Sequence, residues 1–160
     1  MDKQLLLKKI LAQLVEELEI WLKAAHAAHA ESTHEQSKAE NKYDTRALEA
    51  SYLAQGQSRQ AAEMEAAIAA FNGLDSRPLA AGAPIDVGAL VELESSGKPT
   101  YFFMGAKAGG LEIEHEGQEV VVITPQSPLG QQLQGRRQGE SLDISLGRAK
   151  SIRYRVAAVS

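Results

Sequence analysis

Apolar residues in the first half of the chain recur in alternating steps of four and three: Leu7, Leu11, Leu14, Leu18, Trp21, Ala25 and Ala28. A seven-residue repeat of this kind keeps one stripe of a helix facing a partner. Lys8, Lys9, Gln13, Glu16, Glu17, Glu19 and Lys23 fall between these positions and form a solvated face. A second seam runs Tyr43, Ala47, Ala50, Ala54, Gln57, Ala61, Met64, Ile68 and Phe71. Leucine on one side thus meets mostly alanine on the other, which allows close approach. The stretch from Glu31 to Asn41 breaks both patterns and supplies candidate N-caps. The pattern predicts an antiparallel coiled-coil hairpin over residues 1–78, with its tip at about 31–43. Each arm of about 28 residues would extend roughly 40 Å. The same seam also suits an ordinary dimerising coiled coil. Gln57, polar in mid-seam, is expected to cost stability and to help fix register.

Asn72-Gly-Leu-Asp-Ser-Arg-Pro78 ends the second helix, because proline forbids its continuation, and Ala80 to Pro84 reads as a linker. Beyond it the period changes to two: Val87, Ala89, Val91 and Leu93, then Tyr101 and Phe103, Leu111 and Ile113, Val120 and Val122. Turn residues separate these runs at Ser95–Pro99, Gly105–Gly110 and His115–Gly117. Several short antiparallel strands and a brief helix near Leu129–Leu133 predict a small domain over 79–160. The fold class expected is α+β.

Composition narrows the function classes. The chain has 160 residues, a net charge of -4 and a pI near 5.6. That balance argues against a protein that coats nucleic acid by itself. There is no cysteine, which removes disulfides, thiolate zinc sites and cysteine nucleophiles together. No apolar run approaches the roughly 20 residues needed to cross a bilayer, so a soluble, cytoplasmic protein is expected. A protein partner suits these facts best.

Ile123-Thr-Pro-Gln-Ser-Pro-Leu-Gly130 is followed by Leu133, Gly135, Arg136, Arg137 and Gly139, then by alternating Leu142, Ile144 and Leu146, and by Ile152, Tyr154 and Val156. A strand, a proline-locked turn, a short helix, a glycine turn and a final hairpin follow in that order. The segment resembles the C-terminal domain of the Gre transcription elongation factors (GreA/GreB-like). The N-terminal helical hairpin agrees with the same family. The resemblance implies an FKBP-like second domain that binds bacterial RNA polymerase at its secondary channel. On this chain it implies docking through Ser127, Pro128, Leu129, Arg136 and Arg137. It further implies a hairpin tip reaching the polymerase active site, where acids help hold a Mg²⁺ shared with the polymerase during cleavage of a backtracked transcript. The partner is then the elongation complex, with nucleic acid met mainly through the polymerase, no cofactor intrinsic to the chain, and no membrane. A monomer is expected.

The tip matches the family in part. Family tips typically read Gly-Asp-Leu-Ser-Glu-Asn-Ala-Glu-Tyr, and this chain reads Gln36-Ser-Lys-Ala-Glu-Asn-Lys-Tyr43. Glu40 and Asn41 align with the family's Glu-Asn, which makes Glu40 the candidate metal-directed acid. Ser37 stands where the family has aspartate. Glu35 and Asp44 are further candidate tip acids, although acids also suit a helix N-terminus for dipole reasons alone. A cleavage-deficient factor that only occupies the channel is therefore the alternative.

Other signals are weaker. His26 and His29, with Glu31 and His34 nearby, offer metal-ligand types without a closed ligand set. Arg136, Arg137, Arg148, Lys150, Arg153 and Arg155 form a basic C-terminal cluster that suits docking to an acidic surface. An FKBP-like fold raises prolyl isomerase activity, but fold alone does not carry function. A coiled-coil adaptor is the remaining class.

Overall fold

The computed structural model describes residues 1–33, 45–145 and 151–160. Helices α1 (Lys3–Thr33) and α2 (Arg46–Asn72) precede β1 (Leu90–Ser95), β2 (Lys98–Met104), β3 (Glu112–His115), β4 (Gln118–Ile123), α3 (Pro128–Leu133), β5 (Ser141–Ile144) and β6 (Ile152–Val159). The fold is α+β. Two compact units divide it: Ala12–Ala69, and Met1–Leu11 together with Ala70–Ser160. The outer ends of both helices thus belong to the unit that holds the sheet, and the linker at Ala80–Pro84 runs inside that unit. No helix among the described residues is long and apolar enough to cross a membrane.

In the helical unit, the seam positions are withdrawn from water. Leu14, Ala28, Ala50, Ala54 and Ala61 are buried, and Leu18, Trp21, Ala25, Gln57, Met64 and Ile68 are half-buried; Ala67, off the seam, is buried as well. Off the seam, Val15, Ile20, Leu22, Leu48, Tyr52 and Leu53 remain exposed. The helix α2 is preceded by Thr45, whose carbonyl accepts from Glu49 N–H at 2.9 Å and whose hydroxyl donates to the Glu49 carboxylate at 2.8 Å. Gln57 Oε1 is buried with no hydrogen-bond partner. Leaving a buried acceptor unmet costs on the order of 1–3 kcal/mol, in line with the expectation for a polar residue in mid-seam.

The sheet unit holds six strands in the order β3-β4-β2-β1-β6-β5. Two tight hairpins are set by local chemistry. Ser96 and Gly97 (φ 51° and 74°) join β1 to β2, and Glu116 and Gly117 (φ 52° and 75°) join β3 to β4. Positive φ at both central residues matches the right-handed twist of the flanking strands. An all-antiparallel sheet was expected, and one pairing corrects it: β2 and β4 run parallel, Tyr101 opposite Val120 through Met104 opposite Ile123. After β2 the chain turns at 105–111 and descends as β3 one strand further out. It then returns as β4 into the gap. Pro99 also lies inside β2, opposite Glu94, rather than in the turn. The parallel ladder begins only at Tyr101, so Pro99 is not required to donate there.

Both faces of the sheet carry apolar side chains. On one face Val91, Leu93, Met104, Ile123, Leu142, Ile144 and Val156 pack with Ile85 and Leu133. On the other, Leu90, Phe103, Ile113, Val120 and Val122 are buried, and the Phe103 ring meets Phe71 with centroids 5.9 Å apart. The start of α1 is tied to the β3–β4 hairpin. Asp2 N–H donates to Glu116 Oε1 at 2.8 Å, and Lys9 Nζ donates to the Glu114 carbonyl at 2.9 Å. Asp2 in turn caps α1 by accepting from Leu5 N–H. Lys3 is buried and donates to the Arg77 carbonyl at 3.1 Å. Burial lowers its pKa, opposed by the charge of Asp75.

His115 closes β3 and is fully buried, with neither ring nitrogen hydrogen-bonded among the described residues. Its Nε2 lies 3.4 Å from Glu116 Oε1, outside hydrogen-bond geometry. Two buried polar atoms without a hydrogen bond are a net cost. His115→Leu is therefore expected to raise the denaturant midpoint, by about 1–2 kcal/mol in unfolding free energy. Loss of stability in that variant would mean that the imidazole has a partner in solution.

Candidate functional site

The segment from Thr124 to Glu140 is built by local chemistry and then anchored to two other parts of the sheet unit. Ser127 caps α3: its hydroxyl accepts from Gly130 N–H at 3.1 Å and donates to the Thr124 carbonyl at 2.7 Å. Pro128 takes the first helical position, where a missing N–H and a fixed φ suit the helix. Leu129 is half-buried against the core and Leu133 fully buried, while Pro128 faces solvent. The helix ends at Gln134, whose N–H returns to the Gly130 carbonyl at 2.8 Å. Gly135 then adopts φ 82°, a conformation that glycine takes at little cost.

That turn is held from the linker side. Gly135 N–H donates to Ile85 O at 2.8 Å, and Ile85 N–H donates to Arg136 O at 2.7 Å. Arg137 adds two ties, its N–H to Glu140 Oε2 at 2.9 Å and its guanidinium to the Gly82 carbonyl. Gln138 donates to Ala157 O at 2.9 Å, which joins the segment to β6. The Arg136 side chain is exposed and makes no hydrogen bond or ion pair among the described residues. The structure thus brings the five predicted docking residues into one continuous stretch. Ser127 and Leu129 hold its shape, Arg137 is shared between anchoring and surface, and Pro128 and Arg136 are available to a partner.

The rest of the basic cluster disperses. Arg155 pairs with Glu94 at 2.7 Å, which raises its pKa through that hydrogen bond. Arg153 stands opposite Asp143 in the β5·β6 ladder. Arg148 and Lys150 lie outside the described residues, as do the tip positions Glu35, Ser37, Glu40 and Asp44 and the nearby His34. Elsewhere Arg77 hydrogen-bonds Asp75 through its guanidinium, holding that carboxyl down at about 2. The stabilisation this implies is present above the ordinary carboxylate range and is lost as pH falls through about 2. Both side chains are exposed, so the effect is small. His26 and His29 are exposed on α1, and among the described residues no three His, Cys, Asp or Glu side chains are grouped to hold a metal.

Sequence reasoning missed the residues that hold this surface, Gly82 and Ile85, because one lies in a stretch that reads only as a linker and the other directly follows it. Backbone hydrogen bonds to Ile85 leave no compositional trace.

No family model matches the chain, and no curated protein matches it. Among solved structures, the chain is similar to GreA factor homolog 1 (Gfh1) of Thermus thermophilus at 25% identity, covering 94% of each chain with a TM-score of 0.39. It is similar to Gfh1 of Thermus aquaticus at 23% identity, covering 92% of each chain with a TM-score of 0.40. The prokaryotic transcription elongation factor GreA/GreB from Nitrosomonas europaea is 16% identical, with 74% of this chain and 95% of that one covered and a TM-score of 0.38. With TM-scores this low, the functional reading rests on the residues of the chain itself.

Proposed function

We propose that this protein binds bacterial RNA polymerase at its secondary channel through the Ser127–Arg137 surface and regulates transcript elongation, acting in the cytoplasm as a monomer. It is not an enzyme in its own right and carries no cofactor of its own. The observation that carries the reading is the Gre-like segment itself. Its quoted residues form one anchored surface, with Pro128 exposed and Arg136 unpaired among the described residues. A rigid, positively charged turn beside a proline-started helix suits an acidic protein face.

The tip refines the proposal. Glu40, with Glu35 and Asp44 as further candidates, would be the acid directed at a Mg²⁺ shared with the polymerase. Ser37 in place of the family's aspartate favours the second version, in which the protein occupies the channel and modulates or inhibits transcription without supporting cleavage.

Binding of the full chain to purified core polymerase tests the docking. Affinity is expected to fall as salt rises, and Arg136→Glu is expected to slow association about tenfold. Equal binding by parent and variant would remove Arg136 from the surface, and no binding at low salt would end the proposal. Transcript cleavage by backtracked complexes separates the two versions. The parent is expected to stimulate weakly or not at all, and Ser37→Asp to gain activity.

A further inference from the structure

The helical unit changes character along its length. Toward residues 12–21 and 58–69 the seam contains Leu14, Leu18, Trp21, Ala61, Met64 and Ile68. Toward residues 22–33 and 46–56 it contains only alanine: Ala25 and Ala28 on α1, Ala47, Ala50 and Ala54 on α2. Burying an alanine methyl contributes about 0.8 kcal/mol, against roughly 1.5–3 for a leucine, isoleucine or methionine side chain. The second stretch therefore has much less holding it together per turn.

Three features meet where the change occurs. Gly56 stands in the interior of α2 with no atom within 4 Å of where a Cβ would lie, so no packing contact requires glycine there. Glycine in a helix interior costs about 1 kcal/mol relative to alanine. Gln57, next along the helix, buries an acceptor that nothing among the described residues satisfies. Beside them lies a groove of about 480 Å³, lined by Leu22, Ala25 and His26 of α1 and by Ala54, Gln55 and Ser58 of α2 among others. A turn with weakened propensity, an unmet polar atom and incomplete packing is where local opening is cheapest.

We infer that Gly56–Gln57 is a built-in hinge at which residues 22–33 and 46–56 open and reclose as one sub-global unit while the leucine-rich part of the helical unit stays closed. The inference is independent of any partner. It is a property of the free chain, and it stands or falls apart from the polymerase-docking proposal.

Hydrogen exchange of the full chain, resolved along α1 and α2, is the test. Exchange is expected to step up between the two stretches, with 22–33 and 46–56 sharing one faster rate. Gly56→Ala should slow both faster stretches together by about fivefold, the equivalent of the glycine cost. Gln57→Leu should slow them as well, and strands β1 and β2 should not change in either variant. Slow, uniform exchange over both helices would overturn the inference, as would Gly56→Ala and Gln57→Leu that fold normally but leave the faster stretches unchanged. Exchange that grades smoothly with no step near Gly56 would also overturn it, since simple fraying would then suffice.

Discussion

Gly130→Ala is expected to lower the unfolding free energy by about 3 kcal/mol or more. A Cβ at this position would sit 1.8 Å from the Thr124 carbonyl oxygen and 2.7 Å from its carbon. Those are backbone atoms, so no side-chain rotation relieves the clash. The same carbonyl accepts from Ser127 N–H and from the Ser127 hydroxyl, and moving it disturbs the cap of α3. Gly135 gives the scale for comparison. It has φ 82° but nothing within 4 Å of a Cβ, so Gly135→Ala should cost only about 1–2 kcal/mol in backbone strain. Urea denaturation of the two variants decides the matter. If Gly130→Ala proves no worse than Gly135→Ala, α3 can shift without penalty and its shape is not fixed by the Thr124 contact.

The second large effect is expected at Phe71, which is 2% exposed. Phe71→Ala should destabilise the sheet unit by about 3–5 kcal/mol. It removes a ring set against Phe103 at an interplanar angle of 30° and leaves a cavity in its place. Gly105 is part of the same fit. A Cβ there would lie 2.8 Å from Phe71 Cζ, 2.9 Å from Lys107 O and 3.0 Å from Val122 Cγ1. Glycine at this point is what lets the Phe71 ring come so close to the sheet. In thermal or urea unfolding the costs of Phe71→Ala and Gly105→Ala should therefore fail to add, because deleting the ring removes one of the contacts that an alanine at 105 would violate. Strict additivity would show that Phe71 and Gly105 do not share a space.

Much of the fold was legible because its signals are local. Every described seam position from Leu7 to Ala28 and from Ala47 to Phe71 is buried or half-buried. Of the period-two positions, Ala89, Val91, Leu93, Phe103, Ile113, Val120 and Val122 are buried and Tyr101 and Leu111 half-buried, whereas Val87, which precedes β1, is exposed. Burial of Leu6 and Ile10 was not legible. They lie off the seam and are buried in the unit that contains the sheet, a neighbour the helical repeat cannot announce. The same holds for His115, whose position beside two turn residues suggests exposure. The parallel pairing of β2 with β4 was hidden for another reason: alternation says which side chains share a face, never which strand lies next to which. At the candidate site the proline-locked turn and the short helix after it were readable from residue types, since proline fixes φ there. Their anchoring to Gly82 and Ile85 was not, because it is made by backbone groups that every residue possesses.

The strand order gives the last element an unequal share in the whole. β6 lies between β1 and β5, pairing with one through Val91 to Glu94 and with the other through Ser141 to Ile144. A chain emerging from the ribosome therefore presents β1 with a bare outer edge, and β5 with no neighbour in the sheet, until residues 152–159 are free. Bare edges of apolar strands invite pairing between chains. A message or nascent chain cut short before β6 would yield a product with the whole candidate docking segment in its sequence and the site's supporting sheet unfinished. Such a fragment belongs to the proteolytic and chaperone traffic of a cell rather than to its regulators.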